Sequence, residues 1–524
     1  LKPTPWLTER HGYDPTYRQQ AGSSCFGAVG LFLKRGNVMK KRPNLLFILT
    51  DDQGAWALGC AGNTDIQTPN LDRLAAQGTR FDNFFCASPV CSPARASILT
   101  GRIPSQHGVH DWIRSGSLDK QALGEHADHP YFASEGVPIQ YLQGLITYPD
   151  LLAQNGYTCA LAGKWHLGDS IHPQHGFSRW YVIGRGGCLY NQADVVENGE
   201  LHFESRYITD LITEHALEDL DAFAKQENPF YISVHYTAPH DPWDEDQHPA
   251  KYIDLYRDCA FTATPDEPLH PNRLPTAPGG TGEERKRLLR GYYAAVTAMD
   301  DGVGRLLDRL KVLGVADDTL VIFTADNGMS MGHHGIWGKG NGTFPFNLFD
   351  TAVKVPFIAR WPGRIPAGRV TSSMCSHYDI IQTLNELMDL GAQLPEDLPG
   401  RSFANVLKRG EDTDNHVVVL DEYGSSRMIH SQEWKYIHRY PYGPHELYHL
   451  TQDPGEKENL VDRPEYAQIQ AQMLDALQNW YCTYADPAVD GTREGVTGFG
   501  QMRRPGIHSQ GKPVYATSPK YQKS

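Results

Sequence analysis

The sequence predicts an α/β fold, a large and mainly parallel sheet flanked by helices on both faces, followed by a smaller α+β C-terminal domain with a short antiparallel sheet. Three observations predict it. Short, continuously apolar runs recur through the first 400 residues and end in polar residues, the pattern of strands buried on both faces. Stretches with helix start and stop signals lie between them, so strand and helix alternate and the strands run parallel. Beyond about residue 400 the apolar runs shorten and turns separate them, the texture of an antiparallel sheet.

The first strand is Asn44 to Thr50 (NLLFILT), which ends in Asp51 and Asp52. A helix follows, with Thr68 as N-cap, Pro69 at the first helical position and Gly78 as C-cap. Tyr148 to Asn155 reads as a helix closed by Gly156, and Tyr157 to Ala162 as the strand after it. Phe230 to Tyr236 and Thr319 to Thr324 are further buried strands, the second preceded by a helix from about Glu283 to Leu313. In the C-terminal part, Val417 to Leu420, Trp434 to Ile437 and Glu446 to Leu450 read as strands and Tyr466 to Tyr481 as a helix. The expected organisation is an N-terminal extension over residues 1–38, a catalytic α/β domain over 39–400, an α+β domain over 401–490 and an irregular tail over 491–524.

Composition narrows the classes of function. With 40% hydrophobic and 21% charged residues the chain reads as soluble and globular, and no apolar run approaches the roughly 18 residues of a membrane helix. A net charge of −14 disfavours nucleic acid and other long polyanions as partners, so an anionic substrate needs a local cationic pocket. Nine cysteines, an odd number without a CxxC pair, suggest mostly reduced thiols. The apolar stretch Cys25 to Leu33 follows polar residues and has no small-residue cleavage site, which makes a poor signal peptide, and Met39 reads as a native start. A cytoplasmic location is the expectation. Oligomeric state is not readable from the sequence.

In a parallel sheet, ligands bind beyond the carboxyl ends of the strands. The polar clusters fall there: Asp51 and Asp52 after the first strand, Lys164 and His166 after the second, His240 after the third, Asp326 and Asn327 after the fourth. Asp51, Asp52, Asp326 and Asn327 offer only hard oxygen donors, which favours Ca2+ over Zn2+, with Mg2+ a weaker candidate. Adjacent carboxylates at the end of an apolar strand repel each other unless a cation neutralises them. The blander readings are a polar strand end with capping duty for the first pair and a turn for Asp326-Asn327-Gly328.

Seven motifs stand in order along the chain: RPNLLFILTDDQG (Arg42 to Gly54), CSPAR (Cys91 to Arg95) trailed by LTGR, GKWHLG (Gly163 to Gly168), TAPH (Thr237 to His240), TADNG (Thr324 to Gly328), HGIWGKG (His334 to Gly340) and ELYHLTQDPGEKENL (Glu446 to Leu460). Together they resemble the type I, formylglycine-dependent sulfatases of the alkaline phosphatase superfamily. The resemblance implies that a maturation enzyme oxidises Cys91 to formylglycine, whose hydrate is both nucleophile and ligand of a Ca2+ ion held by Asp51, Asp52, Asp326 and Asn327. One hydroxyl of the hydrate attacks sulfur and the second lets sulfate leave by carbon–oxygen cleavage, which a serine could not do. Arg95, one helical turn after Cys91, holds the formylglycine, and Lys164 and Lys339 contact the sulfate oxygens. His166 is the base that collapses the sulfated intermediate, and His240, with Lys339, the donor to the departing alcohol.

After Gly340 the chain departs from the family pattern with NGTFPFNLFDTAVKVP, where Asp350 takes the polar role. His107, His110 and Trp112 in HGVHDW are either subsite or surface residues, as is the tail Gly491 to His508, and His334 beside Trp337 either lines the pocket or caps a turn. The implied substrate is a small or terminal carbohydrate sulfate. Two alternatives stay open: a formylglycine-dependent phosphonate monoester or phosphodiester hydrolase, and a catalytically silent binding protein on the same fold.

Overall fold

A computed structural model describes residues 42–412 and 419–517. The extension over residues 1–38, the start at Met39, the beginning of the strand expected from Val417 and the last residues of the tail lie outside them. The described residues from Arg42 onward belong to one compact unit.

The large sheet has ten strands: β1 (Asn44–Thr50), β2 (Thr79–Phe85), β3 (Thr158–Gly163), β4 (Arg179–Ile183), β5 (Ala193–Glu197), β6 (Glu200–Glu204), β7 (Phe230–His235), β8 (Thr319–Ala325) and, after a short ribbon of β9 (Ser330–Met331) and β10 (Trp337–Gly338), β11 (Phe357–Arg360) and β12 (Arg369–Ser376). Their spatial order is β12-β2-β11-β8-β1-β7-β3-β4-β5-β6. The central strands β8-β1-β7-β3 are all parallel, whereas β11 and the β5–β6 hairpin bring antiparallel pairing to the flanks.

Strand β1 shows why the apolar runs form the centre. Leu45, Phe47 and Leu49 enter the core on one face of the sheet, and Leu46 and Ile48 the core on the other, so successive side chains are all buried. Each such side chain contributes about 1.5–3 kcal/mol of burial. Helices cover both faces. Cys91–Thr100, Tyr148–Gln154 and Ile380–Leu387 bury residues in the first core, and Ile208–Phe223 and Gly282–Val312 in the second.

A four-stranded antiparallel sheet, β13 (Val419–Tyr423), β14 (Ser426–His430), β15 (Trp434–Arg439) and β16 (Glu446–His449), forms the smaller C-terminal part, with the helix Ala467–Tyr484 against it through Leu477 and Tyr481. Strand β14 is additional to the three expected strands.

Two expected caps have other roles. The helix Pro69–Ala76 ends at Gln77, and Gly78 is glycine because an added Cβ would lie 2.3 Å from the Ala359 carbonyl oxygen of the neighbouring strand. The Thr68 hydroxyl does not cap; it accepts from the Gly59 N–H at 2.9 Å and donates to Asp72. No helix among the described residues is long and apolar enough to cross a membrane.

Candidate active site

The four central strands release their chains at the same edge of the sheet. Backbone bonds tie the ends together: the Asp51 N–H donates to the Ala238 carbonyl, the Asp326 N–H to the Thr50 carbonyl and the Lys164 N–H to the His235 carbonyl. Gly163, at φ 116°, permits the last of these, since any Cβ there would overlap the His235 carbonyl oxygen. Asp52 (φ 61°) and His166 (φ 54°) take left-handed backbone conformations, uncommon for such residues and concentrated at functional sites.

Carboxylate oxygens of Asp51, Asp52 and Asp326 lie within 4.8 Å of one another, all buried. Three fixed cations face them. Lys164 bonds Asp51, Lys339 reaches Asp52 Oδ1 at 2.5 Å, and Arg95 Nε donates to Asp326 Oδ2 at 2.8 Å. Arg95 also donates to the Lys164 carbonyl at 2.8 Å, which fixes its guanidinium across two strand ends. Burial and the neighbouring Asp326 push the Asp51 carboxyl up to about 6. Burial opposes the Asp52 charge too, but Lys339, His240 and Lys164 outweigh it and hold that carboxyl below the usual range.

Cys91 opens the helix Cys91–Thr100, whose ten residues are all buried and whose N-terminus has no side-chain cap. The uncapped N–H groups add positive potential at the thiol. The thiol lies within electrostatic range of Lys164, Lys339, Asp51 and Asp326 but is not one of the three mutually close oxygen ligands. Burial pushes its pKa up despite both lysines, so it is a poor thiolate. Gly101 (φ 69°) closes the helix against Ile381.

Several buried polar atoms here make no hydrogen bond: Asn327 Oδ1, His166 Nδ1, and Asp51 Oδ1 and Arg95 Nη2, which face each other only as a loose ion pair at 3.9 Å. Buried polar groups are almost always hydrogen-bonded, so four such atoms around one cluster mark a place built for something else to bind. Two are oxygens, one of the Asp51 carboxylate and one of the Asn327 amide, the donor type a hard cation requires. The Asn327 amide donates to Asp52 Oδ1 at 2.8 Å, which leaves its own oxygen for such an ion.

The two histidines differ in exposure. His166 is buried and its Nε2 lies 2.8 Å from the Ile113 carbonyl oxygen, which can only accept, so Nε2 carries the hydrogen. Burial, then Lys164, holds its pKa well below the usual value; the ring is neutral and Nδ1 presents a bare lone pair. His240 is 21% exposed, its Nε2 3.6 Å from Asp52 Oδ2, at the open side of the cluster.

The structure does not bring every candidate to this cluster. His107 is buried between Ser97 Oγ at 3.1 Å and the Val109 N–H, and His110 donates to the Val489 carbonyl at 2.8 Å. His334 stacks on Phe349 at 3.8 Å. Asp350, expected to take a polar role toward substrate, is instead held by His430, Lys435 and Lys354 at 3.1, 2.9 and 3.0 Å. His430 and Lys435 share Oδ1 and Lys354 takes Oδ2, so its charge is matched within the protein. Trp112 is half-buried, with its indole N–H on the Gly498 carbonyl of the tail. Conversely, Gly186 was not singled out by sequence: an added Cβ would overlap the His166 ring at 2.0 Å, while one at Gly187 would only touch the His240 ring at 3.6 Å. Tyr131 holds that loop by donating to the Gly187 carbonyl at 2.6 Å.

Comparison with known proteins gives a concordant result. A family model described as "Sulfatase" matches residues 43–390, and one described as "N-sulphoglucosamine sulphohydrolase, C-terminal" matches residues 332–482. The chain is 28% identical to an N-acetylglucosamine-6-O-sulfatase of Bacteroides thetaiotaomicron over 85% of its own length and 87% of that protein's. It is 30% identical to the human N-acetylgalactosamine-6-sulfatase over 72% of its length and 67% of that protein's. A solved structure described as a complex with its substrate D-glucosamine-2-N,6-O-disulfate superimposes with a TM-score of 0.70 at 25% identity, covering 86% of this chain and 100% of that one.

Proposed function

Because the chain belongs to the sulfatase family and is a sulfuric ester hydrolase, we propose that it cleaves a small or terminal carbohydrate sulfate at a formylglycine that a maturation enzyme makes from Cys91, with Ca2+ held by Asp51, Asp52, Asp326 and Asn327. One observation carries this: a buried, poorly ionised cysteine at an uncapped helix N-terminus stands among Lys164, Lys339, Asp51 and Asp326. A protonated thiol is a weak nucleophile, whereas its aldehyde hydrate supplies one hydroxyl for attack and another for release. The divalent ion supplies Lewis acidity. With three carboxylates balanced by three fixed cations, its two positive charges leave the site positive toward an anionic ester.

The chain's own groups divide the remaining work. Arg95 and Lys164, almost wholly buried, form the cationic floor that stabilises charge on the transferring group. Lys339, 10% exposed, and His240 stand at the open side where the alcohol departs, and His240 gives it a proton. The bare Nδ1 of His166 accepts the proton that frees sulfate. Names of the relatives point to 6-sulfated N-acetylhexosamines as first substrates to try. The net charge of −14 favours these over long sulfated polymers.

The test is sulfate release from regiochemically defined sulfated monosaccharides, with intact sulfated polysaccharide, an aryl sulfate and an aryl phosphonate monoester beside them. Preference for a monosaccharide sulfate is the expected result. Equal turnover of polysaccharide defeats the assignment to small substrates, and a higher kcat/KM for the phosphonate defeats the preference for sulfur. Gly186→Ala is expected to lower kcat roughly tenfold to a hundredfold by displacing the His166 ring, with little change in melting temperature. Steady-state kinetics on the aryl sulfate checks it; an unchanged kcat shows that the ring tolerates the shift.

A further inference from the structure

We propose that the C-terminal strap over residues 491–517 is part of the catalytic apparatus, with Gln501 a positioning residue that holds the Ile113 peptide against the His166 imidazole, an inference resting on the assignment of His166 as proton acceptor above. The strap has almost no regular structure, only a short turn of helix over Gly506–Ser509. Gln501 within it is nevertheless fully buried.

The contacts of Gln501 converge on one segment. Its N–H donates to the Trp112 carbonyl at 2.7 Å, and the Arg114 N–H donates to its carbonyl at 2.8 Å, so one residue brackets Ile113 from both sides. Its side-chain oxygen accepts from the His110 and Asp111 N–H groups at 2.8 and 3.3 Å, and its amide donates to the Gly108 and Arg503 carbonyls at 2.9 and 3.0 Å. Neighbouring residues add to the hold: the Gly500 N–H donates to Asp111 Oδ2, and Trp112 and Arg114 donate to the Gly498 and Phe499 carbonyls.

Ile113 is where the tie meets the chemistry. Its carbonyl takes the His166 Nε2 hydrogen at 2.8 Å. Its N–H donates at 3.0 Å to the hydroxyl of Ser92, which in turn donates to the His166 carbonyl at 3.0 Å, and Ser92 follows Cys91 directly. The strap, the Cys91 helix and His166 therefore share one peptide group. A neutral imidazole has two tautomers, and only the one with hydrogen on Nε2 leaves Nδ1 free to accept a proton. Letting the Ile113 carbonyl drift removes what selects that tautomer and that ring orientation.

The test compares the full-length protein with Gln501→Ala, His166→Ala and the double variant, using an aryl sulfate and rates normalised to the fraction of Cys91 converted. Gln501→Ala is expected to lower kcat about tenfold or more with KM within about twofold. On the His166→Ala background the same change is expected to cost less than about twofold, because coupled residues do not add. Losses that multiply in the double variant overturn the proposal, since a strap that only supports the fold acts independently of His166. Should Gln501→Ala fold poorly, Gln501→Glu keeps the acceptor oxygen while losing both amide donors, and carries the same comparison.

A readout without turnover separates this proposal from the proposed function. Side-chain 15N shifts of labelled histidine, assigned with His166→Ala, are expected to report hydrogen on Nε2 in the parent protein and a tautomer mixture in Gln501→Ala. An unchanged tautomer in Gln501→Ala overturns the positioning role. An aryl sulfate left intact by the parent protein instead overturns the proposed chemistry while the tautomer result stands.

Discussion

A Cys91→Ser protein is expected to release at most one equivalent of alcohol per site from an aryl sulfate and then stop, while Cys91→Ala releases none above background. Loss of steady-state turnover should reach on the order of 10^4-fold or more in both, as for other residues that form the covalent bond. The two variants separate the halves of the reaction. Serine keeps a hydroxyl at the helix N-terminus, beside Lys164 and Lys339, and can take the sulfuryl group. It then holds an ordinary sulfate ester with no second hydroxyl for His166 to deprotonate. Intact-protein mass spectrometry after incubation should find one sulfuryl group on the serine variant and none on the alanine variant. Continuous turnover by Cys91→Ser would sink the aldehyde assignment, since water would then suffice to clear the site.

The carboxylates, Lys164 and the histidines were legible because they follow buried strands, whereas Cys91, Arg95 and Lys339 were legible only through their motifs. An apolar run that stops in Asp-Asp, or in Lys-Trp-His, announces both the strand and the edge at which its polar residues gather, and β8-β1-β7-β3 do lie side by side in parallel. The flanking strands were not legible for the converse reason. Strand β2 (TRFDNFF) mixes charge with aromatic residues, and β4 to β6 are short and partly exposed, so neither continuous apolarity nor clean alternation marks them.

The supporting residues hid more deeply. Ile113 contributes a backbone carbonyl, Gly186 the absence of a side chain, and Gln501 bonds across almost four hundred residues of chain to Gly108, none of which leaves a local pattern. Asp350 is a case in the opposite direction. A carboxylate after a glycine-rich motif resembles a substrate contact until β14 and β15 bring His430 and Lys435 to it from about eighty residues away. Tertiary partners, not spacing, decide such a residue's role.

Ca2+ added to metal-stripped protein is expected to raise its melting temperature, and exhaustive chelation to remove nearly all turnover. Three buried carboxylates with oxygens within 4.8 Å of one another are costly together, and burial with Asp326 already lifts Asp51 toward neutrality. Arg95, Lys164 and Lys339 relieve part of that cost but leave Asp51 Oδ1 and Asn327 Oδ1 without a hydrogen bond. An ion that binds only the folded state adds about 2.7 kcal/mol at a hundredfold excess over its Kd, a shift of a few degrees for a chain of this size. Mg2+ should give less, because its octahedral demand and tightly held water suit a protein cage of carboxylates poorly. Asp51→Asn is expected to shrink the Ca2+-induced shift. Reading the shift within each protein, with and without ion, cancels the separate effect of leaving buried Lys164 without its carboxylate, itself destabilising by about 3–5 kcal/mol. Equal melting temperatures with and without Ca2+, together with full turnover after chelation, would mean that the three cations alone balance the cluster and that the orphaned oxygens face the substrate instead.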